Sequence, residues 1–170
     1  MDQIAEPLPL RRALVSPFAI LSLGAAAIHF GVIGAHFAEW WAFGLAMAAI
    51  AWFQALWALA YLLRPAVRLA FLGAVANLGI AGLWAWSRVF GLPFGPGASS
   101  PQPLGVPDVI ATGLELVLVV ALIVSAAGPI RRGTEARRVA RPTLAAWSAV
   151  IAVVVGLATS AAIAHGMGPL

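Results

Sequence analysis

The chain has 170 residues, of which 62% are hydrophobic and only 9% are charged. A soluble domain carries about 45–50% apolar and about 25% charged residues, so this composition excludes a water-soluble globule and a disordered chain. The length favours a single domain, residues 1–170. All ten positive charges are arginine, and the sequence contains neither lysine nor cysteine. Disulfide redox chemistry, a retinal or pyridoxal phosphate Schiff base and thiolate metal sites are therefore excluded.

Five apolar segments are long enough to cross a bilayer, which takes about 20 predominantly apolar residues. We therefore predict an all-α fold, an integral membrane bundle of five transmembrane helices. The predicted spans cover about 13–36, 41–63, 67–90, 109–130 and 144–165. Between the third and fourth spans, segment 91–107 holds five prolines and four glycines. This composition predicts an irregular external loop, which is either a plain linker or a lid over the helix ends.

The arginines predict the orientation of the spans. If the spans alternate in direction, nine of the ten arginines fall on one side, and only Arg88 lies on the other. The positive-inside rule places the arginine-rich side in the cytoplasm, with the N-terminus inside and the C-terminus outside. We expect a multi-pass protein of the plasma (inner) membrane whose cytoplasmic arginines contact anionic lipids. No nucleic acid partner is expected, and a homo-oligomer or a membrane-complex partner remains open.

Nine arginines lie on the cytoplasmic side, and three acids lie near the N-terminus or among the arginines of 131–141. All the other ionisable residues map to the outer half of this topology. Because the orientation rests on arginine alone, this clustering is an independent observation. It is the strongest indication of function in the sequence. The seven residues are His29, His36, Glu39, Arg88, Asp108, Glu115 and His165.

Two pairs of these residues share a spacing of seven. His29 and His36 lie on the first span, and Asp108 and Glu115 lie on the fourth. Seven residues make two helical turns, so each pair lies on one helix face with its members about 10 Å apart in depth. We therefore predict that the first and fourth spans are neighbours and that the two pairs face each other at matching depths.

The residue types of the outer layer favour a divalent metal ion. A histidine and carboxylate ligand set suits Cu, Fe or Zn. His36 and Glu39 are three residues apart on a helix and can share one ion. Asp108 and His165 are the candidates for additional ligands. An extracytoplasmic metal site for metal handling or redox chemistry is the leading functional hypothesis, although no catalytic residue can be assigned.

The inner pair, His29 and Glu115, leaves several alternatives open. Unpaired ionisable groups in hydrocarbon cost a few kcal/mol. The pair could belong to a second metal site or orient the outer ligands. It could relay protons in an ion or small-molecule transport protein, although the inner halves of the spans carry almost no ionisable groups. It could also join two helices in a structural accessory subunit, as Gln54 and Asn77 are expected to do through interhelical hydrogen bonds.

Arg88 is the lone arginine of the outer face and follows Trp84 by four residues. It can stack on that indole ring, form an ion pair with Asp108 or Glu39, or contact an anionic substrate or a lipid phosphate. Asp108 also has a position typical of a helix N-cap.

Two motifs of this chain resemble a recurring pattern in small multi-pass membrane proteins of actinobacteria. The first is the HxxxxxxHxxEW segment, residues 29–40, and the second is the SRxxGLPFGP loop, residues 87–96, followed by Asp108 and Glu115. The resemblance covers about residues 13–124 and implies four core helices with an outer face built from these motifs. It implies no activity. Where those proteins have Pro-Glu-His, this chain has Gly34-Ala35-His36, so one further carboxylate is missing.

Overall fold

The described part of the chain is entirely helical in its regular structure. The structure is a computed structural model that describes residues 8–127, with side chains from 17 to 126. Four helices follow in order: α1 (Leu8–Glu39), α2 (Trp41–Leu63), α3 (Val67–Val89) and α4 (Val106–Ala127). Each contains an apolar stretch long enough to span a membrane. Within these residues the predicted all-helical fold is confirmed, with four candidate spans, while the predicted fifth span, 144–165, lies outside the described residues.

The helix boundaries differ from the predicted ones mainly at the two prolines near helix starts. Helix α1 begins at Leu8 rather than near residue 13, and α4 begins at Val106 rather than near 109. In both cases a proline, Pro9 or Pro107, falls in the first turn. Proline is tolerated there because the N–H groups of a first turn have no partner within the helix. Asp108 consequently lies inside the first turn of α4 and not at the N-cap.

Helix α1 has neighbours on two sides, since it packs against α2 and α4, and α3 completes the bundle by packing against α4 and α2. We call the bundle end that carries the α1–α2 and α3–α4 connections the loop end, and the opposite end, with the α2–α3 connection, the Arg64 end. Toward the Arg64 end lies an apolar core contributed by α1, α2 and α4. Its buried members include Phe18, Leu21, Trp57, Tyr61, Leu118 and Leu122.

Trp57 connects this core to α3. Its ring stacks on Tyr61 with centroids 5.0 Å apart, and its Nε1 donates a hydrogen bond to the Leu69 carbonyl oxygen at 2.8 Å. The indole lies directly against the backbone of Gly73, where a Cβ atom would overlap the ring. A residue without a side chain is therefore required at position 73 for α2 and α3 to approach this closely.

The segment between α3 and α4 folds back onto the loop end. Gly95, with φ 84°, lies against the rings of Trp40 and Phe43, where an added Cβ would come within 3.0 Å of both. The backbone N–H of Gln102 donates to the Ser87 carbonyl oxygen at 3.0 Å. This bond joins the loop to the last turn of α3. The loop therefore covers part of the helix ends instead of projecting away from them.

We expect Gly73→Ala to destabilise the protein, because the new methyl group must displace a buried indole. Overpacking of this kind costs about 1–3 kcal/mol. Gly82→Ala on the same helix is the matched control, since nothing lies within 4 Å of its Cβ position. Thermal unfolding in detergent should show a lower midpoint for Gly73→Ala and an equal or higher midpoint for Gly82→Ala. Equal midpoints for both variants would contradict the close approach of α2 and α3.

Candidate functional site

Glu115 lies in the interior of the bundle with only 1% of its surface exposed. It belongs to the buried stripe of α4 that also contains Ala111 and Leu118, spaced three or four residues apart. Its Oε1 accepts a hydrogen bond from Gln54 Nε2 at 2.7 Å. His29 Nε2 lies 3.1 Å from the same oxygen. The predicted contact between the first and fourth spans is therefore confirmed at this inner layer.

The orientation of the amide groups around Glu115 follows from a backbone carbonyl. Asn77 Nδ2 donates to the Gly73 carbonyl oxygen at 2.8 Å, and a carbonyl can only accept. Asn77 Oδ1 must therefore face Gln54, whose Nε2 donates to it at 3.1 Å. The same Nε2 then points its second proton at Glu115. Glu115 Oε1 is thus an acceptor, whether the carboxyl group is ionised or neutral.

These contacts connect all four helices. We call His29, Gln54, Asn77 and Glu115 the four-helix network, because each comes from a different helix. The hydroxyl group of Ser22 on α1 adds a bond to the Gln54 carbonyl oxygen at 2.9 Å. The sequence predicted the His29–Glu115 pair and interhelical bonds for both amides. It did not predict that Gln54 donates to the carboxyl group, although an isolated amide in an apolar span is a signal for such a bond.

One atom of the network has no hydrogen-bond partner within the described residues. Gln54 Oε1 is buried, while the Nε2 of the same amide makes two bonds. A buried polar atom without a partner costs about 1–3 kcal/mol. The two bonds of Nε2 therefore fix the side-chain amide of Gln54 in an orientation that leaves Oε1 without a partner among the described residues.

Arg88 and Asp108 form an ion pair at the loop end, between Arg88 Nη2 and Asp108 Oδ2. The guanidinium group also lies over the ring of Trp84, 5.6 Å from the centroid. Both partners were among the alternatives for Arg88, and the structure selects Asp108 over Glu39. Asp108 at the start of α4 is further stabilised by the helix dipole.

His36 and Glu39 also lie at the loop end, but neither takes part in the Arg88–Asp108 ion pair. His36 Nδ1 donates to the Val32 carbonyl oxygen at 2.9 Å, one turn earlier on α1. Glu39 is exposed at the last residue of that helix. Within residues 17–126, no three His, Asp or Glu side chains lie together as a group that could hold a metal ion. His165, the fourth candidate ligand of the outer layer, lies outside the described residues.

Comparison of the chain with protein-family models, curated proteins and solved structures gives no match. The functional conclusion therefore rests on the geometry of the four-helix network and of the loop end.

We expect Gln54→Leu to destabilise the bundle, because it leaves Asn77 Oδ1 without its donor and removes one of the two hydrogen-bond partners of Glu115 Oε1. The loss should be about 1–3 kcal/mol. Gln102→Leu is the matched control, since this loop side chain makes only one 3.4 Å bond, at the surface. Denaturant unfolding in mixed micelles should give a lower free energy of unfolding for Gln54→Leu than for Gln102→Leu. If both variants unfold like the wild type, the network does not hold the helices together.

Proposed function

We propose that the chain is an integral membrane protein that binds and releases a proton at the His29–Glu115 pair, as part of ion or small-molecule translocation. The observation that carries this proposal is the almost complete burial of Glu115 in direct contact with an imidazole. Ionisable residues inside a membrane span are expensive, and they typically mark ion or proton pathways.

A purely structural role does not require an acid at position 115. The amides Gln54 and Asn77 already join α2 to α3, and Ser22 joins α1 to α2. A glutamine at position 115 could accept bonds from His29 and Gln54 through its carbonyl oxygen without the cost of an ionisable group. The presence of glutamate where an amide would satisfy the same donors favours proton chemistry over structural support alone.

The pair can hold one proton in two electroneutral arrangements. Either a neutral imidazole faces a carboxylic acid, or an imidazolium faces a carboxylate. Moving the proton between His29 and Glu115 leaves the net charge of the site unchanged. Of the two described side chains that bond to Glu115, His29 is ionisable and Gln54 is an amide.

Exchange of this proton is proposed to occur with the loop end. His36 and Asp108 lie two turns from His29 and Glu115 on the same helix faces, both toward that end. On the other side lies the apolar core of Phe18, Tyr61 and Leu118. The arginine distribution supports an orientation with the loop end outside the cell and the N-terminus in the cytoplasm. The plasma membrane is the proposed location.

Infrared difference spectroscopy on the reconstituted protein tests the proton site. As the pH is changed, we expect the wild type to show a carbonyl band of a protonated carboxyl group that gains or loses intensity. Glu115→Gln should remove this band, because glutamine carries no titrating proton. Glu39→Gln, at an exposed glutamate, is the matched control and should leave the band in place. Identical difference spectra for the wild type and Glu115→Gln would leave the network with a structural role only.

Binding of Cu, Fe or Zn at the loop end is a second candidate function, favoured by the tautomer of His36. In the neutral imidazole, donation from Nδ1 to the Val32 carbonyl oxygen leaves the lone pair of Nε2 for a metal ion. Glu39 follows three residues later on α1, and His165 would supply a further ligand, whereas Asp108 pairs with Arg88 instead.

We expect purified wild-type protein exposed to Cu, Fe, Zn or Mn to retain more metal than the His36→Ala, Glu39→Ala double variant. The alanine substitutions remove both side chains able to share an ion on one helix face. Glu115→Gln serves as a folded comparison in which the loop end is unchanged. Equal and substoichiometric metal in the wild type and the double variant, measured by elemental analysis, would rule out this site.

A further inference from the structure

We propose that Arg88 and Trp84 form a binding site for an oxyanion, a carboxylate or a phosphate group, at the loop end of α3. The proposal is independent of the proton site, because it rests on different atoms. We call Trp84, Arg88 and Asp108 the Arg88 site. Its first two residues are one helical turn apart on α3, and the third lies in the first turn of α4.

The Arg88 site contains two buried donors that no described residue satisfies. They are Trp84 Nε1 and Arg88 Nε, and they are two of only three buried side-chain N or O atoms without a partner in residues 17–126. A buried donor is unfavourable when no acceptor receives its hydrogen bond. Both are N–H groups, which donate and cannot accept, so the missing partner must be an acceptor.

The guanidinium group presents only part of its binding edge to Asp108. Arg88 Nη2 contacts Asp108 Oδ2, while the neighbouring Nε on the same edge has no partner among the described residues. Arginine binds carboxylate and phosphate through two parallel N–H bonds, so this edge is suited to a second oxygen. Asp108 is also stabilised by the N-terminus of α4, which reduces its dependence on the arginine.

The backbone next to the site is held in place by the connecting loop. The Ser87 carbonyl oxygen, one residue before Arg88, accepts a hydrogen bond from the backbone N–H of Gln102. The Ser87 hydroxyl group donates to the Trp84 carbonyl oxygen at 2.7 Å. The Ser99 amide bonds to the Leu92 carbonyl oxygen at 2.7 Å and closes the loop on itself. The last two turns of α3, which carry both donors, are thus fixed before a ligand arrives.

The chemistry of the ligand follows from these donors. It must supply oxygen acceptors to two N–H groups, and a negative charge is favoured beside a guanidinium group. Two sources provide this chemistry at the end of a membrane helix: the phosphate of a phospholipid head group, and a small carboxylate or phosphate from solution.

Nuclear magnetic resonance of the full chain, purified free of lipid in detergent, tests the proposal. The seven tryptophans give seven indole N–H resonances, and Trp84→Phe identifies that of Trp84. Sodium acetate, inorganic phosphate and dihexanoyl phosphatidylglycerol are titrated separately at constant ionic strength. We expect saturable shifts of the Trp84 indole N–H and the Arg88 Nε–H resonances with at least one probe. Trp86, exposed on the same helix, is the control resonance and should not move.

The pattern of responses identifies the source. Saturation with acetate or phosphate indicates a small solute, and saturation with the lipid alone indicates a head group. Arg88→Lys keeps the charge but removes Nε–H, so binding measured at Trp84 should weaken at least about tenfold, the equivalent of one charge-assisted hydrogen bond. The other indole resonances report whether this variant is folded. The proposal is overturned if no probe gives a saturable shift, or if Arg88→Lys binds as tightly as the wild type.

Discussion

The burial of one carboxyl group constrains the arrangement of the whole bundle. In hydrocarbon, Glu115 costs a few kcal/mol unless partners compensate it. Here His29 from α1 and Gln54 from α2 reach one of its oxygens, and Gln54 also bonds to Asn77 on α3. Each bond requires its helix to lie at one depth and one rotation. The apolar surfaces alone would tolerate sliding and turning of the helices, because lipid tails and aliphatic side chains are similar in polarity.

The two ends of the bundle differ in chemistry on either side of this network. Toward the Arg64 end, aromatic and aliphatic side chains pack tightly, with Trp57 against Gly73 as the closest approach between α2 and α3. Toward the loop end lie the Arg88–Asp108 pair and a loop that covers the rings of Trp40 and Phe43. The ionisable groups of the interior thus lie between an ion pair at the loop end and a mainly apolar core toward the Arg64 end. This asymmetry is why exchange with the loop end is the proposed route for a proton.

Much of this arrangement could be predicted from the sequence, for physical reasons that differ between features. The spans followed from apolar length, and the His29–Glu115 contact followed from two-turn spacing and the cost of isolated charges. The first-turn positions of Pro9 and Pro107 were missed because proline can either precede a helix or begin it. Asp108 and Glu39 were equal candidates for Arg88 because spacing does not fix which helix end lies beside α3. His36 bonds to its own helix through Val32, a local competitor that side-chain spacing does not reveal.

The contact between His29 and Glu115 can be measured directly by solid-state nuclear magnetic resonance in lipid bilayers. The chain has three histidines, so ¹⁵N-histidine and ¹³C-glutamate labelling gives few possible pairs. A nitrogen–oxygen separation of 3.1 Å predicts a measurable dipolar coupling between one imidazole Nε2 and one carboxyl carbon. This coupling should vanish in Glu115→Gln with glutamate labelling alone, and should persist in Glu39→Gln. Absence of any histidine–glutamate coupling in the folded wild type would contradict the four-helix network and the proton site built on it.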